Sequence, residues 1–193
     1  MVNFWKNIWD EKGNSVSEDL LYLCGWEHLN LDIDSKQIVN RIVDIMDIKK
    51  GDSVLEVACG AGFLSRNFQD FEYTGVDYSE SLIKKHKNLF PIHDVLVAES
   101  HSLPFGSSSY DKVFCSGLFQ YLPNIEYVKK TINEMKRVAI DSILIADLKT
   151  ESNNDRHFII EKKILKDSGF VFSDCIYRED DTRYNAYLKL KGQ

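Results

Sequence analysis

Five short apolar runs, separated by stretches with helical spacing, constrain this chain more than any other feature. They are VLEVA (54–58), YTGVD (73–77), DVLVAE (94–99), YDKVFCSG (110–117) and DSILIADL (141–148). Each is nearly continuous in its apolar character, as expected of strands covered on both faces. Between them the helical segments carry one apolar stripe each. Ile38, Ile42, Ile45 and Met46 follow a capping signal at Asp34 and Gln37. Leu82, Ile83, His86, Leu89 and Phe90 precede the stop at Pro91, and Ile125, Val128, Ile132, Met135 and Val138 recur at spacings of three and four. Strand alternating with helix predicts an α/β fold, a Rossmann-like doubly wound sheet that is mostly parallel. A further helix is expected over residues 156–167. After it, FVFSDCIYR and RYNAYLKLK are separated only by polar residues, which predicts a C-terminal antiparallel hairpin.

The totals narrow the function. With 193 residues, 44% of them hydrophobic, the chain suits one domain with a real core. A net charge of -6 makes nucleic acid a poor first partner. The four cysteines, Cys24, Cys59, Cys115 and Cys175, form no close pair, which reads as reduced thiols in a cytoplasmic protein. The five histidines lack metal-ligand spacing, so no metal site is expected. The amino-terminal residues hold no long apolar core, so neither a signal peptide nor a membrane span is expected.

The first strand runs into Ala58-Cys59-Gly60-Ala61-Gly62. Glycine admits positive φ and removes the Cβ that would hold a ligand away. A helix expected to start near Gly62 would aim free N–H groups at the same space. In open α/β sheets, ligands bind at the carboxyl ends of the strands. Asp77 ends the second strand, placed to accept hydrogen bonds from ribose hydroxyls, and Ser79 is available as the helix cap instead of it. Glu99, Ser100 and His101 follow the third strand, where a flat base could be held.

The runs VLEVACGAG, YTGVDYS and ESHSLPFGSSSYDKVFCSGLFQYL resemble, in order and spacing, the class I S-adenosylmethionine-dependent methyltransferases of the small-molecule type. The resemblance implies residue roles. Glu56 would lie by the amino group of the methionine part, and Ala58, Cys59, Gly60 and Gly62 would form the loop under the cofactor. Asp77 would hold the ribose, with Tyr78, Glu99, Ser100 and His101 around the adenine. Ser116 and Gly117 would line the path to the sulfonium. Ala58 departs from the family, which often has glycine there; an alanine is expected to fit with an ordinary φ. The dehydrogenase fingerprint fits less well, because Ser65 stands at its third small position and Asp77 follows Gly62 too closely. An NAD-type oxidoreductase and a catalytically inactive binding module remain as alternatives.

The resemblance implies transfer of a methyl group from S-adenosyl-L-methionine to the oxygen or nitrogen of a small acceptor, such as a sugar, a nucleotide-sugar or another metabolite. Candidate catalytic groups are Asp147, His157, Tyr121 and His28. Residues 1–34 are expected to form a helical lid, because Trp5 and Trp9 share one helical face, over a cofactor-binding core at 35–193.

Overall fold

The computed structural model describes residues 2–27, 34–152, 154–176 and 182–190. Helices α1 (Val2–Asn14), α2 (Leu20–Leu23) and α3 (Ser35–Met46) precede β1 (Ser53–Val57). There follow β2 (Glu72–Asp77), α4 (Glu80–Leu89), β3 (Asp94–Val97), β4 (Tyr110–Ser116), α5 (Ile125–Val138) and β5 (Ala139–Lys149). The chain closes with α6 (Lys162–Asp167), β6 (Val171–Asp174) and β7 (Arg183–Lys189).

The seven strands form one sheet in the order β3-β2-β1-β4-β5-β7-β6. The first five are parallel, while β7 runs antiparallel to both β5 and β6. The sheet is therefore Rossmann-like and mostly parallel, with the antiparallel tail that the sequence predicts. Alternation along the strands divides the core. Val54, Phe114, Leu144 and Ala146 pack with Ile38, Ile42 and Met46 of α3 and Ile83 of α4. Leu55, Val57, Val113, Cys115, Ile143 and Ile145 pack with Val128, Ile132 and Met135 of α5 and Leu165 of α6 on the opposite face. Among the described residues, no helix is long and apolar enough to cross a membrane.

Caps set the helix starts. Asp34 accepts from the Lys36 N–H, Ser79 from Leu82 and Asn124 from Tyr127. Two helical expectations are corrected. No α-helix follows the glycine turn; a single 3-10 turn, Ser65–Asn67, stands there. The run 63–71 must also bury Phe68 and return to the start of β2, which leaves no length for a longer helix. Likewise α6 begins only at Lys162. Before it, Asn154 turns the chain by accepting from the Arg156 N–H, and the Phe158 N–H donates to the Gln120 carbonyl. Those tertiary bonds hold residues 154–161 out of a helix.

Candidate functional site

β1 and β4 are neighbours, and the chain leaves them toward opposite faces of the sheet, so a crevice opens at their carboxyl ends. A cavity open to solvent occupies it. Its floor is made by strand ends: Glu56 to Gly60 after β1, Asp77 and Tyr78 after β2, Ala98 to Ser100 after β3, and Ser116 to Leu118 after β4. Its walls and roof come from Trp9 of α1, Leu23, Cys24, Trp26, Phe63, Leu64 and the run 120–123.

The glycine turn is tight in the way its composition demands. Gly60 has φ 52° and Gly62 φ 99°. A Cβ on Gly60 would meet nothing within 4 Å, so its α-carbon leaves open space beside the cavity. A Cβ on Gly62 would instead lie 2.8 Å from the Phe90 ring. Gly62 thus serves packing behind the turn, and it stands apart from the cavity wall. Ala58 overturns one expectation, since its φ is 67°, in the left-handed region. The turn is tied down by the Cys59 N–H, which donates to the Val76 carbonyl at 2.9 Å. From behind, His86 Nδ1 reaches the Gly60 carbonyl at 3.0 Å, while its Nε2 meets Ser65 Oγ at 3.0 Å. Burial lowers the His86 pKa to about 4, so the ring is neutral, with one nitrogen to donate and one to accept.

Asp77 is buried at the cavity. Its Oδ2 accepts from the Gly60 N–H at 3.0 Å and its Oδ1 from the Ser79 N–H at 2.9 Å. One carboxylate therefore joins the glycine turn to the start of α4. Burial raises its pKa to about 6, against the lowering effect of those N–H groups. Glu56 is buried more fully and accepts from the Tyr73 hydroxyl at 2.7 Å. Burial, reinforced by the nearby Asp77 charge, raises its pKa to about 8. Glu99 accepts from the Tyr127 hydroxyl, and Ser100 Oγ pairs with Thr131 Oγ1 at 3.0 Å. His101 lies off the cavity wall, its ring 4.3 Å from that of Tyr127.

The catalytic candidates separate. Tyr121 lines the cavity, where burial raises its pKa and keeps its proton in place. Asp147 is buried behind Gly117, in an ion pair with Arg183, off the cavity wall. His157 also stands behind the wall, stacked on Trp5 at 5.3 Å and edge-on to Tyr121 at 5.5 Å. Burial, with Lys149 and Arg183 nearby, lowers its pKa to about 4. His28 falls outside the described residues.

Several wall residues escaped the sequence reading: Phe63, Leu64, Gln120 and Tyr127. Gln120 did carry a signal, as a lone amide in the apolar run Leu118-Phe119-Gln120-Tyr121-Leu122. Roofing by α1 rests on three contacts. Trp5 is buried and its Nε1–H donates to the Arg156 carbonyl, Asp10 accepts from the Ser79 hydroxyl at 2.6 Å, and Gly13 lies against Ser81 and Leu82.

Residues 55–143 match the family described as a methyltransferase domain. Over 99 residues the chain is 32% identical to a demethylmenaquinone methyltransferase of Paenarthrobacter aurescens (strain TC1), a stretch covering 50% of this chain and 38% of that protein. The chain thus spans well under half the length of that curated relative. Among solved structures, an S-adenosylmethionine-dependent methyltransferase from Clostridium acetobutylicum ATCC 824 aligns over 98% of this chain and 99% of its own, with TM-score 0.68 and 15% identity. Magnesium protoporphyrin IX methyltransferase from Synechocystis PCC 6803, solved with bound SAM, aligns over 96% and 97%, with TM-score 0.66 and 18% identity. These likenesses carry the fold.

Proposed function

Since the chain belongs to the class I S-adenosylmethionine-dependent methyltransferases, we propose that it transfers a methyl group from S-adenosyl-L-methionine to a small-molecule acceptor. The observation that carries this is the convergence of Glu56, Gly60, Asp77 and Glu99 on one cavity, at successive ends of parallel strands. These residues fit the cofactor's chemistry. Asp77 presents a carboxylate to a ribose diol, Glu56 an acid to an ammonium group, and Gly60 a backbone without a side chain in the way. When bound, the cofactor supplies an electrophilic methyl on a sulfonium.

The protein's own part is alignment and exclusion of water. Strand ends hold one partner against the floor, while α1, Trp26 and the run 120–123 close the other side. Of the described catalytic candidates, Tyr121 alone touches the cavity. With its proton retained, it acts as a hydrogen-bond partner to the acceptor and leaves base catalysis aside. Within residues 2–27, Trp9, Leu23, Cys24 and Trp26 serve as the roof of the site. The relative named for demethylmenaquinone supports a small-molecule acceptor. A cytoplasmic setting agrees with four cysteines that lie far apart in the sequence.

Titration calorimetry with S-adenosylmethionine and S-adenosylhomocysteine tests the reading, with saturable binding of both expected and no heat with either overturning it. Turnover to S-adenosylhomocysteine across an acceptor panel then separates an enzyme from an inactive binding module.

A further inference from the structure

The walls that face the strand ends have a chemistry of their own. Trp9, Leu23, Trp26, Phe63, Leu118 and Leu122 make them apolar and aromatic. Trp26 meets Phe63 edge-on at 5.1 Å, and Trp9 meets Tyr121 edge-on at 5.2 Å. Among the described residues, neither lysine nor arginine lines the cavity. A phosphate or nucleoside diphosphate group would find there no cation to pair with, and its dehydration would go uncompensated. The acidic groups that line it near the strand ends, Glu56, Asp77 and Glu99, offer an anion no positive charge.

Within this apolar wall stands one polar irregularity. Gln120 is 4% exposed and lines the cavity, yet its Oε1 has no hydrogen-bond partner among the described residues. Its backbone is fixed, since its carbonyl accepts from the Phe158 N–H at 2.9 Å. Tyr121 follows directly, and its hydroxyl feels the Gln120 amide. A buried amide oxygen without a partner destabilises a fold. Its placement on a cavity wall explains it, because a ligand that donates an O–H or N–H there supplies the missing bond.

We infer that the methyl acceptor is a flat, largely apolar molecule without phosphate, whose hydroxyl or amine hydrogen is read by the Gln120 side-chain oxygen. Gln120 is then the residue that sets specificity: it recognises the group that receives the methyl, while the aromatic walls hold the remainder. The inference rests on the methyltransferase reading and goes beyond it in naming the acceptor's class and the residue that selects it. It sets aside the sugars and nucleotide-sugars that the sequence brought to mind.

The test uses the full-length protein saturated with S-adenosylhomocysteine and calorimetry with three probes. These are 2-naphthol, 2-methoxynaphthalene, whose oxygen carries a methyl in place of the donor hydrogen, and glucose 6-phosphate. Wild type is expected to bind 2-naphthol at least tenfold more tightly than 2-methoxynaphthalene, and glucose 6-phosphate not at all. In Gln120→Leu the two naphthalene compounds should bind within about twofold of each other, with S-adenosylhomocysteine affinity kept. The same variant should melt no lower than wild type, because it removes a buried amide oxygen without a partner; a merely structural glutamine would lower the melting temperature. Gln120→Met, closer in shape, replaces it if the leucine variant misfolds. Preference for the phosphorylated sugar, or discrimination between the naphthalene compounds that survives at position 120, would overturn the inference and leave the methyltransferase reading standing. Failure of wild type to bind S-adenosylhomocysteine would overturn both.

Discussion

At Ala58 the chain accepts a left-handed φ of 67° that its side chain disfavours. Such a conformation costs a non-glycine residue about 1–2 kcal/mol, part of which glycine gives back through its freer unfolded state. Ala58→Gly is therefore expected to stabilise the protein by about 0.5–1 kcal/mol, read from urea unfolding midpoints at unchanged slope. Glu56 makes a second prediction. Its folded pKa of about 8 lies above its ordinary 4.5, so the ligand-free protein gains stability from proton uptake below 4.5 and loses it as the pH rises through 8. A cofactor cation beside Glu56 reverses the preference and expels the proton. Binding of S-adenosylmethionine should therefore tighten between pH 6.5 and 8 by up to about tenfold per pH unit. Calorimetry in buffers of different ionisation enthalpy should show the released proton, and Glu56→Gln should abolish it. Both features trace to residues that could be named from sequence. The strain at Ala58 could not, because nothing local distinguishes an alanine at φ 67° from one in a strand.

Among the elements, α1 is docked as well as placed over the cavity. Gly13 shows how close it comes: a Cβ there would lie 2.4 Å from Ser81 Oγ and 2.6 Å from the Leu82 backbone nitrogen. Helix propensity favours Gly13→Ala by about 1 kcal/mol, yet overpacking against fixed backbone costs about 1–3 kcal/mol. The variant is expected to melt lower than wild type, opposite to what propensity alone gives. Trp5 and Trp9 divide the tasks of the helix. Trp5 is buried against Arg156 and His157, while Trp9 is half-buried and faces the cavity. Trp5→Ala should mainly lower the melting temperature, and Trp9→Ala should mainly lower turnover per folded molecule. A differential melt and a single-turnover assay on each variant read the two effects. Shared helical spacing makes Trp5 and Trp9 neighbours in the sequence, but only the docking partner decides which one is structural. The same limit applies to residues 156–161, which were expected to be helical. Their backbone is instead spent on the Gln120 carbonyl and the wall beside Tyr121.

For the molecule as a whole, sheet order gathers four strand ends at one crevice. The strands and their mostly parallel arrangement with an antiparallel tail were legible in sequence; the strand order was not read there. The walls were not legible either, because Phe63 and Gln120 belong to segments that meet only after the sheet has formed. Cofactor binding should stabilise this single assembly by mass action. At a hundredfold excess over its Kd, S-adenosylhomocysteine adds about 2.7 kcal/mol, which corresponds to a rise of about 5–10 °C in melting temperature. A thermal scan with and without ligand checks it.

The crowding of indoles at this crevice has an optical consequence. The chain has three tryptophans. Trp9 and Trp26 line the cavity, and the Trp5 ring lies 4.8 Å from that of Tyr121, which also lines it. No tryptophan stands elsewhere to give a constant background, so the native emission spectrum of the unlabelled protein is a gauge of what the crevice holds.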